Sequence, residues 1–422
     1  LGVPLIHRTI SVLKEFDITE ITIVTGFKAD QIKDTLGTGS KFGVQIDYIT
    51  NTEYERVNGL SILKAEKLID DRFLLLMGDH LISKQMIEKI IKSQGDLVIA
   101  VDFQPRHIDT VEATKVRIKY NYLKEIGKEL TQFNAIDTGV FLCAEKIFPT
   151  IKKCITQGKE EFSDCIQEYA KQNRVNTCDV SGSIWFDIDT KDDLRKCEKT
   201  ILKSMTKPGD GFISKNLNRK ISTRISKRLV KTGITPNQIT LMSTFLALVS
   251  TIFFSVGNQI YVLSGGIVAQ TTSILDGCDG EIARLKMLGS PYGSWLDASL
   301  DRYADAMIIF GISYGYWLNH KDILIWIISF CSLIGSFMVS YTQTRYVEAF
   351  KQDYKNERYS FGIGRDVRLF IIFLAGVTNQ ALYFLILLAI LTNLKVLLRF
   401  IKHKQRMNIS VTRESKIGQL MS

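Results

Sequence analysis

Four aspartates pose the chemical question in this chain. Asp276, Asp279, Gly280 and Ala283 recur at i, i+3, i+4 and i+7, and on a helix those positions share one stripe. Gly293, Asp297 and Asp301, spaced by four, make a second stripe, and the turn signal Gly289-Ser290-Pro291-Tyr292-Gly293 lies between the two. Two antiparallel helices could therefore face each other across four carboxylates. The flanking sequence is apolar: no charged residue occurs from Thr232 to Leu275, and Asp305 is the only one from Tyr303 to Leu318. Four carboxylates cannot all stay ionised in such surroundings without cations. Oxygen ligands with no His or Cys beside them suit Mg²⁺ or Mn²⁺ rather than Zn²⁺, and two ions could share the cluster. A paired-metal site suits phosphoryl transfer, one ion neutralising a diphosphate and the other the leaving group. Gly280 and Ala283 remove bulk from the same face, so a nucleotide could lie against the backbone there.

Two plainer readings compete. Acidic residues on helices are usually solvated surface, but the apolar flanks argue against that here. A cation or proton pathway, in a transporter with a nucleotide-sensing domain, also uses intramembrane carboxylates. Transport gives no reason for small residues between the acids.

The pattern D-x-x-D-G-x-x-A-R-x8-G-x-x-x-D-x-x-x-D resembles the signature of the CDP-alcohol phosphotransferase family. Asp276, Asp279, Gly280, Ala283, Arg284, Gly293, Asp297 and Asp301 fill its fixed positions. The resemblance implies a six-helix membrane enzyme that moves a substituted phosphoryl group from a CDP-alcohol to a second alcohol and releases CMP. It implies that Asp276, Asp279 and Asp297 hold the metals. Asp301 would be the general base, with metal contact as well. Asn237, Asp276, Gly280, Ala283 and Arg284 would meet the nucleotide. Family members often pair, so a homodimer is implied by the same analogy.

The 422 residues suffice for two or three domains. The mean hydropathy of +0.06 averages two unlike halves. Before about residue 205, strand-like runs at 21–25, 44–49, 73–77 and 97–101 alternate with helical patterns such as 6–16 and 87–92. That alternation predicts a Rossmann-like α/β domain with a mostly parallel sheet. Gly78-Asp79-His80 follows the third strand at its carboxyl end, where such folds bind ligands. It is an ordinary turn pair or a metal-nucleotide site. The net charge of +10 gathers beside the apolar runs, which points to a membrane surface and not to nucleic acid. The seven Cys, odd in number and without C-x-x-C, argue for a reducing compartment and against a zinc site.

Asn51-Thr52-Glu53-Tyr54, Asn58-Gly59-Leu60-Ser61, Gly78-Asp79-His80, Asp137-Thr138-Gly139 and Trp185-Phe186-Asp187-Ile188-Asp189-Thr190 occur in that order. Together they resemble the sugar-phosphate nucleotidyltransferases. That likeness implies Mg²⁺ on Asp79 and Asp187, with Asn58 and Ser61 near the substrate, and CTP as a partner. In that family a Gly-rich basic loop opens the domain and cradles the triphosphate. Leu1-Gly2-Val3-Pro4-Leu5-Ile6 resembles the segment just after it. The expectation is a chain that begins inside a longer natural one, with weak nucleotide binding where the loop is missing.

Between the halves, Ile213, Leu217, Ile221, Ile225 and Leu229 recur every four residues beside Lys215, Arg219, Lys220, Arg224, Lys227 and Arg228. This predicts a helix over 206–232 lying on anionic lipid, or a basic helix packed on the first domain. No aromatic residues interleave with the charges, which again disfavours nucleic acid. Thr235 and Pro236 read as an N-cap and first helical residue. Asn237 follows at a helix start that attracts phosphate.

Membrane spans read as 238–256, 260–284, 293–318, 323–341, 366–378 and 381–400, with a break at Val377-Thr378-Asn379-Gln380. The basic helix, Lys286, the connection carrying Lys351, Lys355 and Arg358, and the tail from Lys402 then share one side, with Lys321 on the other. The positive-inside rule makes this a multi-pass cell-membrane protein with both the first domain and the C-terminus cytoplasmic. Arg345, Arg365 and Arg368 fall at span ends. They are topology charge, or, as the family resemblance implies, ligands of an acceptor's phosphate. Asp305 continues the second stripe one turn deeper, outside the signature, where it could pair with a basic group.

The expected layout is thus a nucleotidyltransferase domain over 1–205, the amphipathic helix, and a phosphotransferase domain over 233–422. It resembles bifunctional enzymes that make CDP-inositol from CTP and inositol 1-phosphate. Those enzymes then join CDP-inositol to a second inositol 1-phosphate, giving the phosphorylated precursor of di-inositol phosphate, a compatible solute. The runner-up is the same chemistry on CDP-diacylglycerol or CDP-archaeol, in phospholipid biosynthesis.

Overall fold

The computed structural model describes residues 1–106, 108, 110–206, 210–350 and 363–421, without the side chains of 403–421. It divides into two compact units, Val3–Thr200 and Leu1–Gly2 with Ile201–Ser422.

The first unit alternates helices and strands in chain order: α1 (Leu5–Lys14), β1 (Glu20–Thr25), α2 (Ala29–Leu36), β2 (Gln45–Thr50), α3 (Asn58–Lys64), β3 (Phe73–Leu76), β4 (His80–Leu81), α4 (Lys84–Ile91) and β5 (Leu97–Asp102). There follow β6 (Lys115–Lys119), β7 (Tyr122–Gly127), β8 (Ala135–Cys143), α5 (Phe148–Thr156), α6 (Phe162–Tyr169), β9 (Asn176–Asp179), β10 (Phe186–Asp187) and α7 (Lys191–Ser204). The expected strands are present, but the sheet is not mostly parallel. Its order is β3-β8-β5-β9-β7-β6, and only β5–β9 runs parallel within it. The parallel pair β1–β2 forms a separate small sheet. Two local facts account for the difference. Tyr120 and Asn121, with φ of 57° and 61°, turn β6 straight back into β7, the geometry of a tight hairpin. In addition, β8 inserts antiparallel between β3 and β5. β8 is buried almost throughout, so it lacks the alternation that marks a half-exposed strand. The core gathers on this sheet, with Leu97, Ile99, Phe141, Phe162 and Ile166 almost inaccessible.

In the second unit a short π turn (Ser214–Asn218) leads into α8 (Arg219–Leu229). Then come α9 (Pro236–Val256), α10 (Gln259–Leu285), α11 (Pro291–His320), α12 (Leu324–Phe350), α13 (Arg365–Thr378) and α14 (Ala381–Met421). Among the described residues, three helices are long and apolar enough to cross a membrane: Pro236–Val256, Leu324–Phe350 and Ala381–Lys402. α9 starts in a complete capping box between Thr235 and Gln238 with Pro236 at N1. α13 stops where expected, at Asn379 with φ 55°.

The helices meet through small residues. A Cβ on Gly315 would lie 2.0 Å from the Phe254 carbonyl oxygen, and one on Gly311 would lie 2.5 Å from that of Thr251, so α9 and α11 approach backbone to backbone. α8 docks on α10 through the end of its Ile/Leu stripe, where Ile225 and Leu229 pack on the buried cluster that holds Cys278, Ile282 and Leu285, and through small polar residues. Asn218, Ser222 and Ser226 are buried, and Asn218 donates to Ser273 at 3.0 Å and accepts from Gln270 at 2.8 Å. Leu217 and Ile221 stay 37% exposed.

Candidate active sites

In the first unit, β4 and β10 pair antiparallel, with His80 opposite Asp187. The His80 Nδ1 lies 2.7 Å from Asp79 and 3.7 Å from Asp187. Asp79, His80 and Asp187 could each offer a ligand atom to one ion, all within 4.8 Å of one another. The Asp187 Oδ1 is buried with no hydrogen-bond partner among the described residues, as a waiting metal ligand would be. Burial works against the charged form of His80, but its bond to Asp79 and the charges of Asp187, Asp79 and Asp137 outweigh this and raise its pKa. The same bond to His80 lowers the pKa of Asp79. Burial raises Asp187, and it pushes Asp137 up to about 7.

These groups line a cavity of about 670 Å³ together with Asn58 and Trp185. Asn58 sits at the start of α3 and accepts the Phe162 amide at 2.9 Å. Ser61, expected near substrate, instead accepts from the Asn51 side chain at 3.0 Å and is not among the cavity-lining residues. Gly139 explains the Asp-Thr-Gly triplet. Its φ is +70°, a Cβ there would fall 2.7 Å from the His80 ring, and its amide binds Asp137 at 3.0 Å. Trp185 lies nearly parallel to His80, ring centroids 6.2 Å apart, and is held by Asp102 at 2.9 Å.

In the second unit the two aspartate stripes do face each other. Asp276 and Asp279 project from α10 and Asp297 from α11, with an oxygen of each within 4.8 Å of the others. Asp297 Oδ1 is buried without a hydrogen-bond partner among the described residues. The Asp279 Oδ2 accepts from Thr240 of α9 at 2.6 Å, which orients it. Thr240, one turn beyond Asn237 along α9, was given no role from the sequence and reaches this carboxylate. Three carboxylates converging without enough fixed donors, and without nitrogen or sulfur ligands, fit a hard divalent cation.

Asp301 stands one turn deeper, where its Oδ1 lies 2.6 Å from Arg365 and its Oδ2 3.9 Å from Arg302. Arg365 also reaches Asp276 at 2.5 Å and, through Nε, Asp305 at 3.2 Å. Arg368 meets the other oxygen of Asp305 at 3.0 Å and the Ser336 carbonyl of α12 at 2.6 Å. Arg345 is not brought to this group: it is 59% exposed and pairs with Glu348 at 2.6 Å on its own helix. An i, i+3 partner at a solvated helix end holds it there. Lys351, Lys355 and Arg358 lie outside the described residues.

The small residues make room. A Cβ on Gly293 would sit 3.0 Å from the Asn237 side-chain oxygen, and one on Gly280 would sit 3.3 Å from Arg284. Arg284 buries Nε and Nη2 without hydrogen-bond partners among the described residues. Ala283 adds only a methyl group to this stripe. Two features escaped the sequence reading. Arg219 and Ser222 of α8 bind the buried Glu281 at 2.7 Å each. Lys395 and Arg399, counted within an apolar span, turn inward and donate to the carbonyls of Ile363 and Val339 at 2.9 and 2.8 Å. Cations inside an apolar run were the available signal.

This arrangement, an acid-rich α/β site and a carboxylate cluster between apolar helices, defines a nucleotidyltransferase and a CDP-alcohol phosphotransferase carried on one chain. The nucleotidyl transferase family model matches residues 1–204 and the CDP-alcohol phosphatidyltransferase model residues 233–401. The bifunctional IPC transferase and DIPP synthase of Aquifex aeolicus is 36% identical over 405 residues, 94% of this chain and 90% of that protein. Its counterpart in Archaeoglobus fulgidus is 36% identical over 380 residues, 88% of this chain and 72% of that one. The archaetidylinositol phosphate synthase of Pyrococcus horikoshii is 35% identical over 187 residues, 44% of this chain and 92% of that protein. The chain belongs to the family of bifunctional IPC transferases and DIPP synthases, and it is an enzyme.

Proposed function

We propose that the membrane unit transfers the phosphoinositol group of CDP-inositol to inositol 1-phosphate and releases CMP, and that the α/β unit, when completed by the Gly-rich loop, makes CDP-inositol from CTP and inositol 1-phosphate. The observation that carries the reading is the convergence of Asp276, Asp279 and Asp297 within 4.8 Å beside the half-buried Arg365 and the buried Arg368. The first group suits a diphosphate with its cations, and the second suits an acceptor already bearing phosphate.

Asp276, Asp279 and Asp297 would hold the divalent ions, Mg²⁺ or Mn²⁺ and two in number, with Asp301 touching one of them. When bound, these ions withdraw charge from the diphosphate and from the departing CMP. Asn237, Gly280, Ala283 and Arg284 line the place of the nucleotide. Asp301 takes the proton of the acceptor hydroxyl through Oδ2, the oxygen that Arg365 leaves open. The hydroxyl oxygen bonds to the β-phosphorus, and the bond from that phosphorus to the oxygen bridging to CMP breaks, its electron pair leaving with CMP. Arg365 and Arg368 bind the acceptor's phosphate; Arg345, exposed and paired, takes no part. In the α/β unit, Asp79 and Asp187 hold Mg²⁺ for the nucleotide, and Asn58 borders the substrate cavity.

The layout we favour has boundaries near 205 and 232. All six helices α9–α14 cross the membrane, the first domain and the C-terminus are cytoplasmic, and α8 lies at the interface with Leu217 and Ile221 toward lipid. Small-residue contacts such as Gly315 against Phe254 support six crossings, because such close packing holds helices together where hydrophobic burial does not. A homodimer is part of the same proposal.

The test is direct. Purified protein with Mg²⁺, CDP-inositol and inositol 1-phosphate should release CMP. The likeness of the second half to a lipid synthase favours one other reading, a CDP-lipid donor. Release with CDP-diacylglycerol or CDP-archaeol alone would establish it. Ion flux in vesicles without CMP from any donor would make the chain a transporter.

A further inference from the structure

We infer that Asp305 is a positioning residue that sets the acceptor specificity of the membrane site. It holds Arg365 and Arg368 side by side for an acceptor bearing a phosphate, and it takes up part of the Arg365 charge that would otherwise fall wholly on Asp276 and Asp301. This rests on the reading of Arg365 and Arg368 as the acceptor's phosphate site.

Three observations carry it. First, Asp305 divides its two oxygens between the two guanidiniums, at 3.2 Å to Arg365 Nε and 3.0 Å to Arg368 Nη2. One rigid carboxylate shared in this way fixes the spacing of two planar forks, which is what a doubly charged phosphate needs from its ligands. Second, Asp305 follows Asp301 by one turn of α11 and is 8% exposed. Arg365 Nη1 already lies within 2.6 Å of both Asp276 and Asp301. Remove the deeper carboxylate, and among the described residues Asp276 and Asp301 are left as the charge partners of a half-buried cation. Arg365 would then compete with the divalent ions for the same oxygens. Third, Arg368 is tied at its other end to the Ser336 carbonyl at 2.6 Å. It cannot follow Arg365 toward the cluster, so the two forks would part. An acceptor with a phosphate loses affinity when they part; a neutral alcohol gains nothing from either.

The experiment uses the full chain purified in detergent, with Asp305→Asn and Asp305→Glu. CMP release from CDP-inositol is followed against inositol 1-phosphate concentration, and inorganic phosphate is added as a competitor. Separately, without substrates, Mn²⁺ binding is read from the shift in thermal unfolding midpoint. Asp305→Asn should raise the acceptor KM about tenfold and weaken phosphate inhibition alike, while the donor KM stays within about twofold. The Mn²⁺ needed for half of the unfolding shift should rise roughly threefold or more. Asp305→Glu keeps the charge but moves the oxygens by a methylene. It should keep normal Mn²⁺ binding and raise the acceptor KM by roughly threefold. Acceptor KM and Mn²⁺ dependence like wild type in Asp305→Asn overturn the inference. Should that variant not fold, an unchanged acceptor KM in Asp305→Glu overturns it.

Arg365→Lys and Arg368→Lys run alongside. If neither moves the acceptor KM, the acceptor reading fails and takes this inference with it. If they raise it while the Asp305 variants do not, the inference alone fails.

Discussion

Arg219, at the start of α8, donates to Glu281 of α10 at 2.7 Å, and the Glu281 side chain is fully buried. The same guanidinium reaches Asp210 at 2.9 Å and the Gly277 carbonyl at 3.1 Å, one residue from Asp276. Removing Arg219 would strand a buried carboxylate. Arg219→Ala should therefore cost about 3–5 kcal/mol. Glu281→Gln leaves Arg219 its other partners and should cost only about 1 kcal/mol. Unfolding midpoints of the two variants in detergent check the asymmetry. Equal midpoints would mean that the pair does not fasten α8 to α10.

The roles proposed for the aspartates separate by readout. Asp301→Asn should lose turnover by about 10²–10⁴-fold while still binding the CDP-alcohol. Asp276→Asn should lower Mn²⁺ affinity by an order of magnitude or more, of the kind seen when a metal site loses a carboxylate. Calorimetry with the donor nucleotide and with Mn²⁺ distinguishes them. Full activity in both variants would defeat the assignment.

Much of this site is legible in spacing, and the reason is local. Asp276 and Asp279 share a helix face by their i, i+3 separation, and Asp297 and Asp301 by i, i+4, so a turn between the two helices was enough to predict convergence. The salt bridges from Asp305 to Arg365 and Arg368 depend on how α13 packs beside α11, which no short-range period reports. The polar part of the docked face of α8, beside Ile225 and Leu229, was hidden for another reason. Asn218, Ser222 and Ser226 repeat every four residues as faithfully as the Ile/Leu stripe, but a hydrophobicity pattern does not register small polar packing. In the α/β unit, strand positions were readable and strand direction was not, since β8 is buried on both faces and pairs antiparallel with strands far from it in sequence.

Gly139 offers a test confined to the α/β unit. Its φ of +70° and the 2.7 Å that would separate an added Cβ from His80 make alanine doubly unfavourable. Gly139→Ala should destabilise the protein by about 1–3 kcal/mol and displace His80 from Asp79. Asp79→Asn should instead leave stability nearly unchanged and lower CDP-inositol formation by roughly a hundredfold or more. CMP release from supplied CDP-inositol should persist in Asp79→Asn. If that release were lost too, the two activities would not belong to separate sites.

Gly376 lets the placement of the two arginines be varied without touching them. It faces Gly266 across the crossing of α13 and α10, and a Cβ on it would lie 2.7 Å from the Gly266 Cα and 2.8 Å from the Val262 carbonyl oxygen. Backbone cannot yield as a flexible side chain does, so α13 must shift. Overpacking of this kind costs about 1–3 kcal/mol. The same helix carries Arg365 and Arg368 against α10 and α11, and a shift there moves both guanidiniums relative to Asp276 and Asp301. Gly376→Ala should therefore lower the unfolding midpoint and raise the acceptor KM more than the donor KM, with Gly376→Leu stronger on both counts. Gly289→Ala, where a Cβ meets nothing within 4 Å, is the control and should change neither. A Gly376 variant that lost stability with its acceptor KM unmoved would show that Arg365 and Arg368 are positioned from α11 alone, by Asp305, and not by the seating of α13.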